Sequence, residues 1–182
     1  MSSTMNAVRK HQAFQAWRAD ADGLIHLRTC SHDIEGGDEG FHRLKLLKIP
    51  ISESAAFVLE GLLYKPTLDM DTRIVIIPGA VFHDRERATE RVVSYGMGQG
   101  YSRLCAEPAW LLVEALTESS LEAMGLRQIV VIHKPVPHVF VNTSGLLCLG
   151  RGFDEDVFVH AVDAAPNAFW RDDVGFAFAD PT

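Results

Sequence analysis

The pattern of apolar and polar positions is clearest between residues 107 and 132, and it first predicts a core helix. Pro108 suits the first turn of a helix because that position needs no amide hydrogen. Apolar residues then recur at helical spacing, at Ala109, Leu112, Val113 and Leu116. Trp110 and Leu111 extend the apolar surface around most of the helix, so we expect other elements to cover it.

A second, short helix and a buried strand are predicted directly downstream. Ser119 and Glu122 have the spacing of a capping box, and Gly125 suits a left-handed helix stop, which together predict a helix over residues 120–124. Residues 129–132 are then an unbroken run of β-branched side chains. A strand without polar alternation is typical of one that is covered on both faces.

The chain before residue 107 alternates predicted helices with predicted extended segments. Helices are expected over residues 8–20, 54–63 and 84–95, and extended segments over 24–27, 44–49 and 73–78. The helix over 84–95 is expected to be capped by Asp84 and to turn Ala88, Val92 and Tyr95 inward. Residues 1–7 are expected to be loose and residues 31–40 to form a polar mobile loop.

The last third of the chain has the pattern of an antiparallel meander. Short extended runs at residues 139–141, 146–149, 157–160 and 176–178 are separated by turn residues. The sequence therefore predicts an α+β fold: one domain over residues 1–182, with helices packed on a mixed or largely antiparallel sheet. The alternative is an α/β layer with parallel central strands.

Composition limits the classes of partner and the cellular compartment that we expect for the protein. The 182 residues are 47% hydrophobic, which is enough for a core without disulfides, and the net charge of −7 gives no basic footprint for nucleic acid. Three cysteines, an odd number, indicate a reducing compartment, so a cytoplasmic protein is expected. We see neither an apolar signal segment at the start nor a run near the roughly 20 apolar residues of a membrane span.

A metal site is one candidate for chemistry. His26, Cys30 and His32 can all bind zinc, and their even separation would project them to one side of an extended strand. Their spacing is not one of the paired patterns of structural zinc sites. The alternative is that these are ordinary polar residues beside an exposed loop.

A cysteine nucleophile is a second candidate. Cys148 follows His133 and His138, and a histidine is the usual partner that holds a cysteine as thiolate. In this hypothesis Cys148 attacks, His138 activates it and Asn142 donates to an oxyanion. The alternative is a buried, inert cysteine within a strand.

His138, Asn142, Gly145 and Cys148 together resemble the stretch before the active cysteine of ubiquitin-conjugating enzymes, over about a dozen residues. In that family the asparagine steadies an oxyanion. The histidine-proline-asparagine triplet of the family is absent here, and helices are predicted where the family has a strand meander. We therefore do not assign the chain to that family.

Two features that precede the predicted helix at residue 107 are candidates for sites, and both are expected to be structural. Gly96, Gly98 and Gly100 lack the spacing of a dinucleotide-binding loop and are interpreted as a helix-to-helix connection. Cys105 precedes a predicted helix, whose positive end would lower a thiol pKa, but Glu107 opposes that effect.

The sequence thus favours a non-catalytic protein that binds a protein or small ligand, or that serves as a subunit. Phe169 and Trp170 are the expected partner surface, and a homo-oligomer is possible. No cofactor is expected. The cysteine-dependent enzyme with Cys148 is the first alternative, acting on an acyl, thioester or thiol substrate. The zinc protein with His26, Cys30 and His32 is the second.

Overall fold

Eight strands form one sheet in the computed structural model, which describes residues 17–30, 37–61, 71–105, 108–137, 144–152 and 157–181. The strands are β1 (Arg18–Ala19), β2 (Ile25–Cys30), β3 (Asp71–Pro78), β4 (Gln128–Val131), β5 (Val136–Pro137), β6 (Ser144–Arg151), β7 (Val157–Asp163) and β8 (Val174–Ala179). The helices within the described residues are α1 (Gly37–Leu46), α2 (Glu53–Gly61), α3 (Thr89–Gly98), α4 (Pro108–Ala115) and α5 (Glu118–Ala123). Two 3₁₀ turns, Gly79–Val81 and Asp84–Glu86, link β3 to α3.

The order of the strands places β8 in the middle of the sheet. From one side the order is β1, β2, β3, β8, β4, β6, with β5 and β7 also paired to β6. β8 is antiparallel to β3 and parallel to β4, which is the one parallel pair among the named strands of the described residues. The fold is therefore α+β with a mixed, largely antiparallel sheet, and the alternative of parallel central strands holds for this single pair.

Helices cover one face of the sheet more completely than the other. The first face packs against α1, α2, α4 and α5, and its core includes Trp110 and Leu112 from the predicted core helix. The second face carries α3 and the segment around Trp170, packed on a cluster that includes Phe176 and Phe178. The predictions of a covered helix α4 and of a strand buried on both faces are confirmed, since Ile129 to Val131 are all buried.

Several upstream predictions are wrong. The helix expected over 8–20 cannot include Arg18–Ala19, which pairs with β2, and residues 8–16 lie outside the described part. The end of the loop expected over 31–40 is instead the start of α1, and the extended segment expected over 44–49 begins inside that helix. Phe41, Leu44 and Leu47 recur every three residues, which is a helical and not an extended period.

The start of α3 also differs from the prediction. Asp84 lies in a 3₁₀ turn and pairs with Arg87, while α3 begins at Thr89. No side-chain cap is needed there because the amides of Thr89 and Glu90 donate to the carbonyls of Ala168 (3.1 Å) and Pro166 (2.9 Å). The predicted inward stripe holds for Ala88 and Val92, but Tyr95 is 37% exposed.

The capping box of α5 lies two residues earlier than predicted. Thr117 accepts from the amide of Ser120 (3.2 Å), and Ser120 accepts from the amide of Thr117 (3.3 Å), so the helix begins at Glu118. The predicted stop is confirmed: Gly125 has φ +71°, and the amide of Leu126 donates to the carbonyl of Leu121 at 2.8 Å.

The meander expected for the last third is only partly formed. β6 and β7 form the expected antiparallel hairpin, but β8 leaves β7 and inserts between β3 and β4. The physical reason is burial: Val174, Phe176, Ala177 and Phe178 are apolar on both faces, and such a strand belongs in the centre of a sheet. The strand expected over 139–141 lies outside the described residues.

The glycines at the end of α3 form a helix stop. Gly100 has φ +89° and donates to the carbonyl of Met97 (3.1 Å), while the amide of Tyr101 donates to the carbonyl of Gly96 (3.1 Å), which is the pattern of a Schellman motif. Gly96 also lies against the ring of Phe178, so close that a β-carbon there would sit 2.5 Å from the ring. These hydrogen bonds and the contact with Phe178 are those of a helix end, in agreement with the interpretation of Gly96, Gly98 and Gly100 as a structural connection.

We predict that Gly96→Ala lowers the free energy of unfolding by about 1–3 kcal/mol, because the added methyl overpacks the contact with Phe178. Gly98→Ala is the matched control on the same helix. A β-carbon at Gly98 meets nothing within 4 Å, so this change should be neutral or stabilise by up to about 1 kcal/mol through helix propensity. Urea denaturation of both variants measures the difference, and equal stabilities would contradict the packing described.

Candidate functional site

Cys148 occupies the centre of β6 and is fully buried. Its thiol lies 3.7 Å from the carbonyl of Leu149, and burial raises its pKa far above that of an exposed thiol. A raised pKa keeps the sulfur protonated at neutral pH, which is the opposite of what a nucleophile needs. His138 and Asn142, the proposed partners of Cys148, lie outside the described residues.

The histidine that faces Cys148 within the sheet is His160, which the sequence analysis did not identify. The two residues are directly paired between β6 and β7, so their side chains share the second face. Burial lowers the pKa of His160, and its Nδ1 atom is buried without a hydrogen-bond partner among the described residues. The pairing depends on the register of the two strands, which places Gly145 opposite Asp163 and Arg151 opposite Val157, and the sequence pattern does not fix that register.

His133, also considered as a partner of Cys148, has a structural role. Its Nε2 accepts the amide hydrogen of Leu147 (2.9 Å), and its Nδ1 lies 2.7 Å from the carbonyl of Lys134, to which it donates. The imidazole thus replaces a backbone acceptor where the chain passes from β4 to β5 beside β6. Burial lowers the pKa of His133, the hydrogen bond to Lys134 opposes that effect and the nearby Arg103 adds to it, so that the net shift favours the neutral ring.

The zinc candidates are not brought together by the backbone of β2. His26 and Cys30 are four residues apart in a regular strand, a separation of roughly 13 Å at about 3.3 Å per residue. His26 instead contacts Asp20 (2.8 Å) and has Asp180 3.8 Å from its other nitrogen. His32 and the side chain of Cys30 lie outside the described part, and the described residues contain no cluster of three metal-binding side chains.

Phe169 and Trp170, the predicted partner surface, point in different directions. Trp170 donates from its indole to Thr89 (3.0 Å) and packs edge-on against Phe176 at 6.0 Å between ring centroids. Phe169 is 67% exposed. Any partner surface here would therefore be carried by Phe169, and its existence stays a prediction.

A concave feature lined by described residues lies at one end of the sheet. This sheet-end cleft, of about 900 Å³, is formed where β4 and β8 begin, β6 ends and β7 begins. Its polar and aromatic lining comprises Glu118, Glu122, Arg127, Gln128, Arg151, Phe158, His160 and Asp173. The sequence analysis missed it because its walls come from five elements that are distant along the chain.

Two stacked rings line one side of the sheet-end cleft. Phe158 and His160 lie 4.8 Å apart between centroids with an interplanar angle of 23°. They lean over Gly150, where a β-carbon would come within 3.0 Å of both rings. Gln128 pairs with Gly150 from the other side, so it shares this face of the sheet. The absence of a side chain at Gly150 therefore makes room for the ring pair.

Ion pairs line the other side of the cleft. Arg151 donates from Nε (3.1 Å) and Nη2 (3.0 Å) to one carboxylate oxygen of Glu118, and Glu122 lies 3.9 Å from the same guanidinium. Asp173 accepts from Arg171 at 3.1 Å. The contacts of Arg151 with Glu118 and Glu122 hold α5 against the end of β6. Each of these carboxylates, like Asp173, therefore has a basic neighbour.

No protein-family model, curated protein or solved structure matches this chain. Among the described residues, no helix combines the length and the apolar character needed to cross a membrane.

We predict that Cys148 resists alkylation in the folded protein across pH 5–9 and reacts only on unfolding, because its thiol is buried and protonated. Cys105 is exposed and serves as the internal control, which should react in the folded state. Peptide mass spectrometry resolves the two sites. Rapid labelling of Cys148 at neutral pH would restore the nucleophile hypothesis.

We predict that the free energy of unfolding falls as the pH drops below about 6.5. Burial lowers the pKa values of His133 and His160 in the folded state, so the same histidines bind protons more readily in the unfolded state, and low pH favours unfolding. Each contributes a slope of up to about 1.4 kcal/mol per pH unit, and the full stability is present above pH 6.5. In His133→Gln the amide oxygen can still accept from Leu147, while one titrating group is lost.

Denaturation curves between pH 4.5 and 7.5 measure this effect. The His133→Gln variant should lose stability less steeply than the parent, and a variant slope equal to that of the parent would show that His133 does not carry the effect. His83→Gln, at an exposed position, is the control and should retain the parent slope.

Proposed function

We propose that the protein is a non-catalytic binding protein whose sheet-end cleft takes a small ligand. The observation that carries this proposal is the ring pair of Phe158 and His160, which lines a cleft of about 900 Å³. Ligand pockets usually have volumes of about 300–1,000 Å³ and combine aromatic side chains with a few placed polar groups. Phe158, Gln128 and Arg151 supply that combination here.

The chemistry around Cys148 supports binding over cysteine catalysis. A nucleophilic thiol needs access and a group that stabilises its charge. Cys148 is fully buried, and His160, which faces it, has a lowered pKa and carries no charge at neutral pH. His138 and Asn142 lie outside the described residues, so the hypothesis in which they assist Cys148 remains the alternative. The thiol-labelling experiment above tests it.

The ion pairs support a preformed site. Arg151 and Glu118 are held by each other and are only partly exposed, at 30% and 19% of their side chains. Such charge-assisted contacts fix the walls before a ligand arrives, so less ordering is required on binding. A cytoplasmic location is part of the proposal, on the basis of the few cysteines, and a partner at Phe169 would be compatible with it.

We predict that Gly150→Ala abolishes binding of benzamide, a neutral ring probe, because the new β-carbon displaces the rings of Phe158 and His160. Saturation-transfer NMR at millimolar probe measures the interaction with the parent and the variant. Gly98→Ala, remote from the cleft and without a steric contact, is the control and should bind as the parent does.

Circular dichroism and amide spectra establish that Gly150→Ala is folded. A folded variant that binds the probe as the parent does would contradict the assignment of the cleft, as would a parent that shows no binding. Should Gly150→Ala fail to fold, Phe158→Leu removes the aromatic ring from the half-exposed face and provides the same comparison.

A further inference from the structure

We infer that the ligand of the sheet-end cleft is an anion that carries a flat ring, with Arg127 binding the anionic group and the ring pair of Phe158 and His160 contacting the ring. This inference rests on the proposed function and names the chemical class of its ligand. It is carried by the distribution of charges in the cleft.

Arg127 is the cation of the cleft that lacks a counterion among the described residues. Arg151 is paired with Glu118 at 3.0 Å, and Asp173 is paired with Arg171 at 3.1 Å. The exposed guanidinium of Arg127 makes neither an ion pair nor a hydrogen bond with another described residue. A ligand anion would supply the missing counterion.

The backbone of Arg127 is fixed although its side chain is exposed. Its amide donates to the carbonyl of Asp173 at 2.7 Å, and its carbonyl accepts from the amide of Arg151 at 3.1 Å. The residue thus joins the starts of β4 and β8 to the end of β6. These contacts hold the backbone from which the guanidinium extends at the end of the sheet that lines the cleft.

The flat ring follows from the ring pair of Phe158 and His160, which lines the same cleft as Arg127. The pKa of His160 is lowered by burial, so the ring pair is uncharged at neutral pH and offers an aromatic surface without competing for the anion. Gln128, on the same face, presents an amide that both donates and accepts hydrogen bonds. Aromatic contact and a polar edge select a planar ring over a saturated one.

Three probes of similar size test the two parts of the inference: benzoate, benzamide and cyclohexanecarboxylate. Dissociation constants come from NMR titrations of the full chain. Benzoate should bind up to about fivefold more tightly than benzamide, because an ion pair with an exposed guanidinium adds a modest amount to the affinity. Cyclohexanecarboxylate should bind more weakly than benzoate, since it cannot stack.

Matched variants locate the anion. In Arg127→Gln the advantage of benzoate over benzamide should disappear, while benzamide binding is unchanged. Arg91→Gln is the control, because Arg91 is exposed on α3 and lies outside the lining of the cleft. In that variant the preference for benzoate should remain.

The outcomes separate this inference from the proposed function. If benzamide binds in the cleft as tightly as benzoate, the cleft is a ligand site but the anionic class is wrong. If Arg91→Gln and Arg127→Gln lose the preference equally, or if Arg127→Gln keeps it, Arg127 is not the anion-binding residue and the inference fails. If none of the probes binds, both the inference and the proposed function are wrong.

Discussion

The structure depends on the insertion of β8 between β3 and β4. This strand hydrogen bonds on both edges, antiparallel to β3 and parallel to β4, and so connects the two halves of the sheet. Its packing is close on the face toward the helices: a β-carbon at Gly175 would lie 2.7 Å from Ile76 and 2.8 Å from Leu126. Phe176 and Phe178 fill the opposite face. Because this strand follows all of the others in sequence, the centre of the sheet forms through contacts between residues far apart in the chain.

The candidate site is a consequence of the same insertion. Parallel pairing places the first residues of β4 and β8 at the same end of the sheet, where β6 also ends and β7 begins. Arg127 and Asp173 therefore meet through a backbone hydrogen bond of 2.7 Å, and α5 closes the remaining side through the contact of Glu118 with Arg151. An antiparallel arrangement of these two strands would place their first residues at opposite ends. The sheet-end cleft thus follows from the direction of one strand.

Local features of the fold were predictable from the sequence, while long-range pairing was not. Helix α4 and its apolar surface follow from the helical spacing of apolar residues. The helix stop follows from a glycine at position 125, since glycine readily adopts the positive φ that this position requires. The start of α3 was missed because its first amides are satisfied by the carbonyls of Pro166 and Ala168, which are remote in sequence.

The candidate site was missed for the same reason. Cys148 was matched with His138 on the basis of sequence proximity, whereas the register of β6 and β7 brings His160 opposite it. Nothing in a linear pattern indicates that Arg127 adjoins Asp173 or that Glu118 pairs with Arg151. These contacts depend on strand order and direction, which a single sequence with several strands of similar composition does not specify. What could be inferred was the inert alternative for Cys148, from the apolar residues on either side of it.

The most direct test of the sheet-end cleft as the ligand site is a map of amide chemical-shift changes during titration of the isotope-labelled protein with benzoate. The account predicts that the largest changes cluster at Arg127, Gln128, Gly150 and His160, which are brought together by the sheet and lie on three different strands or their ends. Changes centred instead on Phe169 and the residues beside it, with the cleft unaffected, would contradict the account.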